Sequence, residues 1–291
     1  MTFVIGIAIF GCAGISLHYH DSHAVVMSLV NSGLITMGFA IICGVLTRGN
    51  INLSRRDGFG VVTFGWLIAA VFGSLPYILS GVIPHPVPAL FETLSGFTTT
   101  GASVLGNLET IPRGIHFWRA LTHRFGGMGV LVPCVAILPF LGVGGMQIYR
   151  AEVPGPAKDR LPPRINVIFR KMFREIRLFM RPMSVIQMKY DGRVVEADTV
   201  SHIAAFTFMY LCTCAIAVLL MCLYTPDLET ALSSVATTLG GMGPGLNAVG
   251  ATHNFSVFPN AGHLVLIACM LLGRLEFYTV FVLFLPSFWK K

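Results

Sequence analysis

Two short runs of this 291-residue chain have the makings of a site for a dehydrated cation: Thr98-Thr99-Thr100-Gly101 and Gly241-Met242-Gly243. Carbonyls along an extended Thr/Gly segment can replace the hydration shell of a monovalent ion of K⁺ size, as the TVGYG loops of potassium channels do. Threonine hydroxyls would supply further ligands, and Gly101 admits backbone angles that a Cβ would forbid. Thr99-Thr100-Gly101 takes the place of Thr-Val-Gly in that pattern. Gly241-Met242-Gly243-Pro244-Gly245 takes the place of the full five-residue loop.

Each run follows a stretch compatible with a helix but too short to cross a bilayer, Val87–Phe97 and Leu228–Leu239. Irregular backbone at membrane depth is tolerated only where protein buries it or where it lines a water-filled cavity. A half-helix that stops there carries a partial negative charge on its terminal carbonyls, which favours a cation ahead of it. Setting Gly101 against Gly243 also places Phe97 against Leu239 and Ser95 against Thr237, so the chain repeats the order helix, half-helix, glycine loop, helix.

The elements around these runs follow from composition. Hydrophobic residues make up 54% of the chain and charged residues 11%, against about 25% charged in a soluble domain. Apolar stretches of bilayer length predict spans at Thr2–Leu17, His23–Thr47, Gly58–Ser80, His116–Ile148, Val200–Tyr224 and Ala261–Phe288. The expectation is an all-α integral membrane protein with about six transmembrane helices, two re-entrant pore half-helices and extended filter loops. Its parts would be an N-terminal helix pair (1–57), a first helix–pore–helix unit (58–150), a basic cytoplasmic linker (151–197) and a last helix–pore–helix unit (198–291).

The net charge of +7 is concentrated rather than spread. Eleven Lys/Arg and four Asp/Glu lie between Arg150 and Arg193, which reads as a juxtamembrane basic loop and not as a nucleic-acid surface. With six crossings, this loop, Arg48–Arg56 and Lys290–Lys291 share one side, so both termini are expected in the cytoplasm. Trp118 and Trp289 stand at span ends, where indoles anchor at the interface.

Other polar residues suit plainer roles. Arg274, inside the last apolar stretch, is costly there and should face the bundle interior, as an electrostatic element of a pathway or as part of an ion pair. Glu92 in the first half-helix could attract cations or fix the half-helix by hydrogen bonds. Arg119 and His123, four apart, share a helix face and suggest surface anchoring with Arg124. His18, His20, Asp21 and His23 could ligate a metal or simply form a hydrophilic turn. The glycine runs at Gly126–Gly129 and Gly142–Gly145 suit close helix packing. The seven cysteines lie in apolar segments without metal-type spacing. No nucleophile–base arrangement stands out, so no enzyme activity and no cofactor are expected.

The runs FETLSGFTTTGASVL (Phe91–Leu105), FWRALTHRFGGMGV (Phe117–Val130), AILPFLGVGGMQIYRAEVPGP (Ala136–Pro156) and LGRLEFYTVFVLFLPSFW (Leu272–Trp289) resemble the TrkH family. The resemblance implies a bacterial inner-membrane protein with four helix–pore–helix units around one K⁺ pathway. It also implies a homodimer, with lipid around it and a nucleotide-binding cytosolic regulatory subunit as partner. Carried over by position, Thr98, Thr99, Thr100 and Gly101 match the first filter, and Gly243 with Gly241 and Met242 the fourth. The transported K⁺ would then be held at Thr99, Thr100, Gly101, Met242 and Gly243. Asn is usual in the family where this chain has Gly241. Arg274 matches an arginine that reaches toward the pore below the filter.

The second and third units of the family, with its gating broken helix, have no counterpart between PGPAKDRLPPRI (Pro154–Ile165) and the following basic linker. Two quadrants cannot surround an ion. The expectation is therefore a K⁺-translocating chain or, alternatively, a shortened non-conducting remnant or half-pore, able at most to bind partner subunits.

Overall fold

A computed structural model of the chain describes residues 1–46, 55–128, 189–190, 193–194, 197–275 and 280. Among them the regular secondary structure is helical apart from one two-residue antiparallel pair. In order these are α1 (Thr2–His18), α2 (His23–Leu46), α3 (Arg55–Leu79), α4 (Pro86–Phe97), α5 (Arg113–Gly127), β1 (Lys189–Tyr190), β2 (Arg193–Val194), α6 (Ala197–Met221), α7 (Leu228–Gly240) and α8 (Asn260–Leu275). Single 3-10 turns stand at Leu108–Thr110, Asn247–Val249 and Phe255–Val257.

The chain forms two compact units. One contains Met1–Pro154 and Ile216–Lys291; the other, Gly155–Ala215, includes β1, β2 and the first part of α6. Among the described residues two helical stretches, His23–Leu46 and Gly60–Leu79, are long and apolar enough to cross a bilayer. Three shorter apolar stretches, Thr2–His18, Ala205–Met221 and Asn260–Leu275, accompany them. The second half of the expected His116–Ile148 span, most of the basic linker, Gly142–Gly145 and Trp289 lie outside the described residues.

Helices α1 and α2 pack through small and polar residues. Ser28, Ser32 and Thr36 recur every four residues on α2 and are buried. Each hydroxyl donates to a carbonyl three or four residues back in its own helix, so none is left unpaired. Small side chains let such helices approach closely without the hydrophobic drive available in water.

The half-helices begin and end for local reasons. His85 caps α4 in an extended conformation and Pro86 opens its first turn, where a missing N–H does no harm. The 12 residues of α4 and 13 of α7 give lengths of about 18 and 20 Å, well under the roughly 30 Å of bilayer hydrocarbon. Helix α4 is buried from Phe91 to Phe97, between α3, α5 and α8.

Trp118, expected at the membrane interface, instead lies fully buried in this core. Its indole nitrogen donates to the Gly73 carbonyl at 2.9 Å and its ring meets Phe97 edge-on. The indole satisfies its donor inside the protein, so no interfacial water is needed.

Candidate functional site

Both half-helices end in a left-handed residue followed by the same six-to-one backbone bond. After α4, the Thr99 N–H donates to the Gly96 carbonyl and the Thr100 N–H to Ser95, each at 2.9 Å. These are the two bonds of a Schellman motif, with Thr99 at its left-handed position, φ 59°. After α7, the Met242 N–H reaches back to the Thr237 carbonyl at 2.9 Å, and Gly241 holds the left-handed position at φ 63°. Two residues further on, Gly101 and Gly243 repeat the positive φ, at 83° and 89°. The loops therefore match in the register that sets Gly101 against Gly243.

The expectation of an extended filter segment needs correction. From Thr98 (φ −80°) to Gly101 the sign of φ alternates residue by residue. The chain is wound at its start because the N–H groups of Thr99 and Thr100 turn back to satisfy the helix end. Two of the terminal carbonyls of α4, those of Ser95 and Gly96, are thereby occupied.

The threonine hydroxyls are also engaged. Thr98 Oγ1 donates to the Leu94 carbonyl at 2.7 Å and lies 2.8 Å from Thr100 Oγ1; Thr99 Oγ1 donates to the Thr98 carbonyl at 2.6 Å. Ser95 Oγ bonds the Ala102 carbonyl.

The two loops touch. A Cβ on Gly243 would stand 2.6 Å from the Thr100 carbonyl oxygen and 3.6 Å from the Gly101 Cα. Beyond them, the Phe255 N–H donates to the Ser103 carbonyl at 2.8 Å. Phe91 of α4 packs on Phe255 and on the buried His263 of α8. The environments differ, however: Thr100 is 3% exposed and Met242 74%. The first loop is enclosed and the last open on one flank.

Arg274 lies away from the loops, one step behind them. Its Nη2 donates to the Gly126 carbonyl at 2.6 Å and its guanidinium lies over the Trp66 ring, 5.9 Å from the centroid. Gly126 is pressed so closely on the carbonyls of Gly96 and Phe97 that no Cβ would fit. The preceding Gly273 is pressed in the same way on the Leu239 carbonyl. Adjacent residues of α8 thus reach the carbonyl end of α7 directly and that of α4 through Gly126. Positive charge at helix C-termini is favourable.

Glu92, 1% exposed, accepts four contacts from three donors. Ser103 Oγ approaches both carboxylate oxygens at 3.1 and 3.0 Å, the Val104 N–H at 2.9 Å, and Arg119 Nε at 2.7 Å. Arg119 is therefore a partner of the half-helix rather than a surface anchor. Leu246, which stands against Val104 in the shared register, donates its N–H to Ser233 Oγ at 2.6 Å, one residue before Ser234, which stands against Glu92. Nothing in local spacing joins Glu92 to Arg119, 27 residues away; only their charges gave a signal.

The His/Asp turn has a structural use. Asp21 accepts the N–H groups of Arg113 and Gly114 at the start of α5, and Ser16 Oγ donates to it. Burial works to raise its carboxyl pKa, but the Gly114, Ser16 and Arg113 bonds hold it below the usual value. Among the described residues no cluster of His, Cys, Asp and Glu could hold a metal.

Comparison with known proteins agrees with this architecture. The sequence model of the TrkH family, a cation transport protein, matches residues 25–164 and 163–291. The Trk system potassium uptake protein TrkH of Escherichia coli K12 is 50% identical over 116 residues, 39% of this chain and 24% of that protein. TrkH of Halomonas elongata is 49% identical over 117 residues, 40% and 24% of the two chains. These matches span about a quarter of the length of the curated relatives. The crystal structure of the potassium transporter TrkH from Vibrio parahaemolyticus has the same fold, with a TM-score of 0.75 at 19% identity, covering 100% of this chain and 99% of that one.

Proposed function

The chain belongs to the TrkH family of cation transport proteins, and from that membership we propose that its two loops are neighbouring quadrants of a K⁺ pathway in a bacterial inner membrane. The observation that carries this reading is the matched backbone of the loops, in contact at Thr100 and Gly243. Alternation in the sign of φ allows a chain to turn successive carbonyls to one side. The carbonyls of Thr99, Thr100, Gly101, Met242 and Gly243, beside the Thr98 hydroxyl and Gly241, are then the ligands for K⁺ as cargo. Arg274 braces the end of α4 through Gly126, with Gly273 beside it against the end of α7, and adds positive charge behind the loops.

The family match falls in two segments that meet at residues 163–164, which supports a chain lacking its middle pore units. Its parts on this reading are a helix pair (1–57), a first unit (58–150), a linker (151–197) and a last unit (198–291). A second copy would supply the two absent quadrants, and the basic linker would face a cytosolic nucleotide-binding regulator, with both termini on that side.

A second reading is a non-conducting remnant that retains only partner binding. The close approach of Gly243 to the Thr100 carbonyl favours it, because it closes the space between the loops at that level. Rb⁺ uptake by K⁺-transport-deficient cells separates the two. Uptake above background that Arg274→Gln alters supports translocation; background uptake by well-expressed chain supports the remnant.

A further inference from the structure

We infer that Glu92, held by Arg119, positions the first loop and sets its preference for K⁺ over Na⁺. This rests on the reading of the loops as an ion site and names the residue that gives one of them its shape. Residues 98–102 are fixed at both ends. At the near end the Thr100 N–H and the Ala102 carbonyl are tied to Ser95. At the far end Ser103 and Val104 are tied to the Glu92 carboxylate. Ser103 Oγ also receives the Leu105 N–H at 3.1 Å, which extends the tether by one residue.

The tether is an ionised group in a dry place. A carboxylate left bare at 1% exposure would be strongly disfavoured, so it is retained here with Arg119 on one oxygen and three further donor contacts to its two oxygens. Hydrogen bonds to a charged acceptor are shorter and about twice as strong as neutral ones. The last loop has no such group at the matching place. Ser234 stands there, the hydroxyl of the neighbouring Ser233 accepts the Leu246 N–H, and Met242 stands open.

One loop is thus clamped by charge and enclosed, the other tied by neutral bonds alone, those of the Met242, Gly245 and Leu246 N–H groups. A clamped ring of carbonyls resists shrinking onto a smaller ion, whereas a loose one adapts to either. Discrimination between the two ions therefore resides in the first loop, and Glu92 and Arg119 maintain it from behind without touching the ion.

The test uses the purified full chain and reads the thermal unfolding temperature against KCl or NaCl at constant ionic strength, which yields an apparent affinity for each ion. The wild type is expected to bind K⁺ more tightly than Na⁺. The double variant Glu92→Gln/Arg119→Gln removes both buried charges together, so neither is stranded. It should unfold cooperatively with its K⁺/Na⁺ affinity ratio reduced about tenfold, the equivalent of one hydrogen bond to a charged group.

Ser103→Ala keeps the ion pair and removes one donor; it should lower the ratio in the same direction and carries the test should the double variant not fold. An unchanged ratio in a folded variant overturns the inference while leaving the ion site standing. A wild type indifferent to both ions overturns the ion site and the inference with it.

Discussion

Gly243 lies against the carbonyl oxygen of Thr100, so near that a methyl group on its Cα would stand 2.6 Å from that oxygen. Two segments more than a hundred residues apart in sequence are joined there through bare backbone.

Gly243→Ala should therefore be more damaging than Gly101→Ala. Both glycines have φ above 80°, where an alanine costs roughly 1–2 kcal/mol. At Gly101 the nearest atom to a new Cβ is 3.8 Å away, whereas at Gly243 the Cβ also strikes a carbonyl. Thermal unfolding in detergent checks the order; equal losses would contradict the contact between the loops.

Thr99 holds a left-handed conformation that its counterpart Gly241 adopts freely. A β-branched residue is strained there. Thr99→Gly should raise stability, by up to about 1 kcal/mol once its hydroxyl bond and the added freedom of the unfolded chain are counted. A lower unfolding temperature would show that the hydroxyl outweighs the strain.

Gly126→Ala and Gly273→Ala should each displace a half-helix from its following helix. Each new Cβ meets backbone carbonyls, of Gly96 and Phe97 in one case and Leu239 in the other. Overpacking of this kind typically costs about 1–3 kcal/mol. Gly127→Ala, with open space around it, should be close to neutral. Folded yield and unfolding temperature of the three variants, measured together, decide the matter.

Much of this architecture was legible before any coordinates. The short apolar runs Val87–Phe97 and Leu228–Leu239 and the glycines behind them at 101, 241 and 243 mark where the half-helices stop, though not that the chain winds backward there. The register of the two loops also follows from the sequence, where setting Gly101 against Gly243 aligns the half-helices before them. Thr99 was not legible, since threonine gives no sign of a left-handed conformation. Nor were the partners of Glu92 and Arg274, which are long-range contacts fixed by packing. Trp118 looked like an interfacial residue because its position in a span cannot reveal the Gly73 carbonyl that receives its N–H.

Asp21 caps the start of α5 from a distant turn, so Asp21→Asn should destabilise the chain by about 1 kcal/mol near neutral pH. Its carboxyl is held below its usual value, so the folded state gains from ionised Asp21 above the unfolded pKa of about 3.9. That gain is lost as pH falls through the lower folded value. The stability gap between wild type and variant, followed by thermal unfolding from pH 7 downward, should narrow below about pH 4. A constant gap would mean that charge plays no part in the cap.

The most direct measurement is an anomalous difference map from crystals of the chain grown with Rb⁺ or Tl⁺ in place of K⁺. The predicted result is a peak within coordinating distance of the carbonyls of Thr99, Thr100 and Gly101 and of Met242 or Gly243. Well-ordered loops with no peak between or beside them, or a peak only elsewhere in the molecule, would contradict the assignment of a cation site to these two segments.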